Sequence, residues 1–294
     1  MKQWQSYKKI SQLRSFFWAV PAVVWQIVLL YIPLIFVLMR SFVHKGGAHL
    51  FDQFSFRYYM ELLDATHAII LFRSFMLAAV TASVCLLIAY PIAYFLSFYV
   101  SRFKNILLFF LIIPFWTSLL VQLYAWFFIL DKHGVFNVVL QKLGILSEPY
   151  HLLNTPFAVY LVSIYCYIPF MIMPIYSILE KFDIRLREAS LDLGATRWET
   201  FMRVTVPLSL PGIKTGFYLV FIPAFGEFVI PMLLGGGKQL YVGSLITHYF
   251  LVSRSPELGA AFTWLSSIVL IISTIVMQWL FVRAITPRKI RHNL

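Results

Sequence analysis

Glu227 is the one acidic residue deep inside a long apolar run, and it stands among Pro223, Gly226 and Pro231. An ionisable side chain in hydrocarbon is costly, so such a position is functional by default. The prolines and the glycine can interrupt a helix there and open backbone carbonyls toward a cavity. A carboxylate in that setting can hold a cation. Aromatic faces can replace part of a cation's lost water, and Trp116, Tyr124, Tyr165 and Tyr167 lie in neighbouring apolar runs. Asp131 closes one of those runs. These six residues are the candidate substrate path. Each also has a plainer role open to it. Glu227 can cap a broken helix or pair with Arg73, Asp131 can be a solvated helix end, and the aromatics can be packing or interface residues.

Covalent and metal chemistry find little support. The segment LGGGKQL (234–240) has the look of a phosphate loop, but Met232 stands where the first glycine is needed and Gln239 where Ser or Thr must hold magnesium. His44, His49, His67, His133, His151, His248 and His292 form no ligand pattern. There is no G-x-S-x-G nucleophile turn. Cys85 and Cys166 both fall in apolar runs and suggest neither a metal cluster nor a disulfide framework. No metal, cofactor or catalytic role is expected of this chain.

The elements that must position these residues are membrane spans. Of 294 residues, 61% are hydrophobic and 12% charged, about half the charged share of a soluble protein. Apolar stretches of about 20 residues suffice to cross hydrocarbon. Six can be drawn, at roughly 16–39, 74–99, 105–130, 156–180, 213–234 and 260–283. None alternates as barrel strands do, so all six are expected to be helices in one membrane domain, 16–284. The run from Phe16 to Met39 follows Lys2, Lys8, Lys9 and Arg14. It is longer than a signal-peptide core and is read as a retained first helix.

The net charge of +12 is read as topology, not nucleic-acid binding, because no basic patch is large enough to track phosphates. Sixteen of the 24 lysines and arginines fall in the N-terminal segment 1–15, the loops at 100–104 and 181–214, and the basic tail 285–294 with Arg283. The positive-inside rule places that side in the cytoplasm, with both termini. Loops 40–73, 131–155 and 235–259 are then outside. Trp18, Trp25, Tyr31, Trp126, Trp264 and Trp279 are available as interfacial anchors.

The loop 181–214 is too patterned for a connector. Phe182, Leu186, Ala189 and Leu193 share one helical face. Asp183 and Arg187 are spaced to pair, and Gly194 supplies a left-handed stop. Thr196 and Glu199 are spaced as a capping box that starts a second short helix. Pro207, Pro211 and Gly212 are expected to end that helix before the fifth span. Small residues at the bend admit a second surface, and Trp198 and Phe201 are apolar anchors of the kind enriched in interface cores.

Glu188, Ala189, Ser190, Gly194, Val204, Val206 and Pro207 resemble the E-A-A-x3-G-x9-I-x-L-P loop of bacterial ABC importer permeases, with Ser190, Val204 and Val206 as departures. The resemblance extends along the chain. IPFWTSLLVQLYAWFFIL (113–130), YCYIPFMIMPIYSILEKFD (165–183) and FIPAFGEFVIPMLLGG (221–236) are similar to the polyamine (spermidine/putrescine) permeases of that family. It implies an all-α membrane protein of the type I importer permease fold, with a cytoplasmic coupling helix between helices four and five. Glu188, Ala189, Ser190, Gly194, Trp198, Phe201 and Pro207 would then meet a partner ATPase dimer, which uses ATP and magnesium. It further implies a second homologous permease, a periplasmic substrate-binding protein, a polyamine substrate and the bacterial inner membrane. A permease for another small solute, and an ion-coupled secondary carrier, remain the alternatives.

Overall fold

The computed structural model describes residues 20–285 apart from positions 22, 44–54, 101 and 146. The expected terminal segment 1–15, the start of the first span and the tail beyond 285 lie outside the described residues, as does Trp18. Among the described residues the chain is helical, with no β-strand. Apolar segments in lipid must satisfy their own backbone, and a helix does this within one segment.

The helices in chain order are α1 (Val23–Arg40), α2 (Arg57–Leu62), α3 (Ala65–Phe98), α4 (Lys104–Trp116), α5 (Leu119–Leu130), α6 (Val135–Lys142), α7 (Pro156–Glu180), α8 (Arg185–Asp192), α9 (Arg197–Phe225), α10 (Val229–Leu234), α11 (Val242–Thr247) and α12 (Pro256–Ile285). Six membrane-length apolar segments are present, as expected. The expected fourth span coincides with α7, and the sixth lies within α12.

The third and fifth spans depart from expectation. The stretch 105–130 is not one helix but two, α4 and α5. Thr117 and Ser118 between them are extended, at ψ 146° and 133°. The Pro114 carbonyl is taken by the Thr117 hydroxyl at 2.8 Å and by the Gln122 side-chain amide, so local side-chain bonds replace the next rung of the ladder. In the fifth span, Pro207, Pro211 and Gly212 do not end the loop helix, which runs on as α9 to Phe225. A π turn at Phe201–Thr205 shifts the hydrogen-bond register, and Pro207 falls in the first turn of the α-helical stretch that follows, where its missing N–H is tolerated. The break comes later, at Gly226–Phe228, before α10.

The described chain forms two compact units, one of residues up to 64 with 248–265, the other of 65–247 with 266 onward. In the larger unit, α3, α7 and α9 build the core. Ala78, Ala82, Cys85, Ala89 and Ala93 form a fully buried small-residue stripe on α3, which lets neighbouring backbones approach closely. Gly212 and Gly216 do the same on α9. A Cβ at Gly212 would stand 2.7 Å from the Pro174 carbonyl oxygen and 3.0 Å from Ile175 Cα, both backbone atoms of α7. In the smaller unit, Arg40 forms a 3.1 Å ion pair with the buried Glu257, and Ser41 bonds Tyr59 at 2.8 Å. Of the aromatic residues available as anchors, Trp25, Tyr31 and Trp279 are exposed. Trp126 and Trp264 are not. Trp126 packs edge-on against Tyr165, and the Trp264 indole N–H is buried.

Candidate functional site

The loop between α7 and α9 is built largely as its residues dictate. α8 ends at Gly194, whose φ of +86° is a conformation only glycine adopts without strain. The Thr196 side chain accepts from the Glu199 N–H at 3.2 Å, and the Glu199 carboxylate accepts from the Thr196 N–H at 2.9 Å. The capping box is therefore complete. Ser190, which departs from the motif's alanine, bonds the Thr200 hydroxyl at 3.0 Å and so ties α8 to α9.

The expected Asp183–Arg187 pair does not form. Asp183 instead accepts from the Arg185 N–H at 3.0 Å, capping the turn. The Arg187 guanidinium lies over the rings of Phe98 and Tyr94, at 4.6 and 5.6 Å from their centroids. Phe201 is turned inward against Tyr90 and Tyr94, with ring centroids 5.8 and 5.5 Å away. It anchors the loop to α3 and is not a protruding side chain, and Pro207 is likewise half-buried. Glu188, Ala189 and Gly194 are exposed. So are large apolar groups beside them: Leu193 is 88% and Trp198 65% exposed. A base tied to α3 by aromatic contacts thus presents apolar side chains outward.

The second site is a cavity of about 270 Å³ where the two helix breaks meet. Thr117 and Gln122 line it from the α4–α5 break, Glu227 from the α9–α10 break, and Cys166, Tyr167 and Phe170 from α7. Glu227 does cap the broken helix: its Oε1 accepts from the N–H groups of Phe228, Val229 and Ile230 at 3.1, 2.9 and 3.4 Å. Its Oε2 accepts from the Tyr167 hydroxyl at 2.8 Å. Capping and cavity lining are therefore both met by one side chain. No ion pair joins it to Arg73 among the described residues.

The other path candidates do not gather there. Asp131 ends α5, where its carboxylate accepts from the His133 N–H at 3.3 Å. Tyr165 packs on Trp126. Tyr124 borders a separate apolar cavity with Phe127, Phe128 and Leu233. Trp116 is 75% exposed and forms a T-shaped pair with Phe109. Only Tyr167 and Glu227 of the six line the cavity between the two helix breaks. Thr117 and Gln122 are additional polar lining residues. Gln122 carries a signal that could have found it, as the lone amide in the apolar run LLVQLYAWFFIL.

Residues 86–291 match the family described as binding-protein-dependent transport system inner membrane component. The chain is 39% identical over 238 residues to the spermidine/putrescine transport system permease protein PotB of Haemophilus influenzae, covering 81% of this chain and 83% of that protein. It is 37% identical over 238 residues to PotB of Escherichia coli K12, covering 81% and 86%. The fold resembles a subunit of a bacterial ABC transporter involved in the import of the acidic polysaccharide alginate, with a TM-score of 0.74 at 17% identity over 98% of this chain and 100% of that one. The family match covers both helix breaks and the whole loop between α7 and α9, and the fold likeness extends over nearly all the rest. The chain therefore belongs to the binding-protein-dependent transport system inner membrane component family, as a membrane-spanning permease subunit of an ABC importer.

Proposed function

We propose that this permease carries polyamines of the spermidine and putrescine class across the bacterial inner membrane by alternating access. The observation that carries the cargo assignment is the carboxylate of Glu227, fixed in a cavity between two broken helices and bordered by the Tyr167 and Phe170 rings. Such a lining suits a cation with hydrogen-bond donors. The names of the relatives at 37–39% identity point the same way. The uncapped first turn of α5, beside Leu119, is a lining feature that favours an anion. A fixed carboxylate in the same small space opposes it.

In this reading the loop 181–214 and both termini face the cytoplasm. Two ATPase subunits using ATP and magnesium drive the cycle, with one docked on the loop through Trp198, Leu193 and their exposed neighbours. A second permease completes the path, and a periplasmic binding protein delivers the cargo. Loop movement reaches the spans because α9 carries the chain as one helix from the capping box to Phe225, two residues before Glu227. The test is uptake of labelled spermidine into proteoliposomes holding the whole complex. ATP and the binding protein should both be required, and putrescine should compete while molybdate should not. Uptake by this chain alone without ATP, or competition by the anion, would overturn the proposal.

A further inference from the structure

We propose that Gln122 is a specificity-determining residue, its carboxamide oxygen accepting an N–H from an ammonium group held in the Glu227 cavity. This rests on the reading that the cavity lies on the cargo's path.

The orientation of the amide is fixed by its partners. The Pro114 carbonyl can only accept, so the NH2 end of Gln122 must face it. The same NH2 donates to the Thr117 hydroxyl oxygen at 2.6 Å, while the Thr117 hydrogen goes to the Pro114 carbonyl at 2.8 Å. Both amide hydrogens are thereby committed. The Gln122 Oε1 receives no bond from any described residue. Across the cavity the Tyr167 hydrogen is committed to Glu227. Apart from the weakly donating Cys166 thiol, every side-chain donor in the lining is spent. Among the side chains what remains is acceptors: the Gln122 oxygen, the remaining lone pair of Glu227 Oε2, and the Tyr167 oxygen.

A ligand that pairs with these side chains must bring its own N–H groups. A primary or secondary ammonium offers two or three. A quaternary ammonium of equal charge offers none and leaves the Gln122 oxygen unpaired. The cavity therefore sorts cations by N–H count as well as by charge, because a site built to pair a donor rejects the analogue lacking it.

Two substitutions separate this role from the alternative, in which Gln122 only staples the α4–α5 break. Gln122→Glu keeps the acceptor and gives up the donors to Pro114 and Thr117. Gln122→Lys keeps a donor and gives up the acceptor. In the assembled complex in proteoliposomes, the proposal expects spermidine uptake within about threefold of wild type for Gln122→Glu, and a loss of about tenfold or more for Gln122→Lys. A staple alone gives the reverse order. The reverse order, equal loss in both variants or no loss in either overturns the proposal. A measurement on the unaltered complex stands beside it. Fully N-methylated putrescine should compete for uptake at least about tenfold less well than putrescine itself, and equal competition refutes the role. Glu227→Gln serves as the control for the underlying reading. If it lowers uptake while the Gln122 pair fails, the path stands and the inference falls. If it changes nothing, the path itself falls.

Discussion

Replacing Glu227 by Gln removes one charge and almost no volume, so its effect can be worked from the bonds. The side chain receives three backbone N–H groups on one oxygen and the Tyr167 hydroxyl on the other. A glutamine keeps one oxygen, which the three N–H groups will claim. Its NH2 then faces Tyr167, whose hydrogen must rotate away. The structural cost is about one neutral hydrogen bond, roughly 1 kcal/mol. The cost to a bound cation is larger. A unit charge about 4 Å from a carboxylate gains about 4 kcal/mol at an effective dielectric of about 20, and desolvation cancels part of that. A charged hydrogen bond nets about 1.5–3 kcal/mol, so kcat/KM for ATP-dependent spermidine uptake should fall roughly ten- to a hundredfold. The assay is initial-rate uptake into proteoliposomes, normalised to assembled complex. Glu227→Asp, which keeps the charge, should retain more activity than Glu227→Gln. Uptake by Glu227→Gln within twofold of wild type would mean that the carboxylate does not hold the cargo, whatever the variant's stability.

Three further outcomes are expected. Thr196→Ala removes the hydroxyl half of the capping box on α9 and leaves the Glu199 bond to the backbone N–H of residue 196; it should cost about 1 kcal/mol, read as roughly fivefold faster amide hydrogen exchange over 197–200 with the spans unaffected. Gly212→Val drives a Cβ to 2.7 Å from the Pro174 carbonyl. Overpacking of about 1–3 kcal/mol should follow, seen as a lower melting temperature in detergent, and an unchanged value would deny the close approach of α7 and α9. Arg40→Met strands the carboxylate of Glu257, which is 8% exposed on its side chain. That single variant should be less stable than the double variant Arg40→Met with Glu257→Gln, and the reverse order in thermal unfolding would count against the pair.

What the sequence made legible follows the range over which each feature is decided. Thr196 and Glu199 lie three residues apart, so their capping box needs no tertiary partner, and the Gly194 stop is equally local. Long apolar runs become helices wherever lipid offers no other partner, which is why α7 could be drawn at its observed bounds. The fates of Pro114 and Pro207 could not be read this way. Both sit in apolar surroundings, yet one is followed by a break and the other lies in a continuous helix. The difference lies in the Thr117 and Gln122 bonds beside the first and the π turn before the second. Arg187 illustrates competition between partners. Its spacing to Asp183 suits a surface pair, but α3 brings Tyr94 and Phe98 beneath it. The cavity needed the packing of three chain segments distant in sequence. Glu227 announced itself by charge, whereas which aromatics would reach it depended on how α7 faces the two breaks. Tyr167 does and Tyr165, two residues away, does not.

In the proposed reading the loop 181–214 hands this chain to an ATPase, and isolation of the assembled complex from its native membrane tests that hand-over. The ATPase subunit and a second permease should come away with the unaltered chain. With Leu193→Asp and Trp198→Asp together, the second permease should remain and the ATPase should fall to background. Both side chains are exposed, and the Phe201 contacts with Tyr90 and Tyr94 that hold the loop to α3 are left in place, so the spans should fold unchanged. Full retention of the ATPase by that variant, or its absence beside the unaltered chain, would contradict the account.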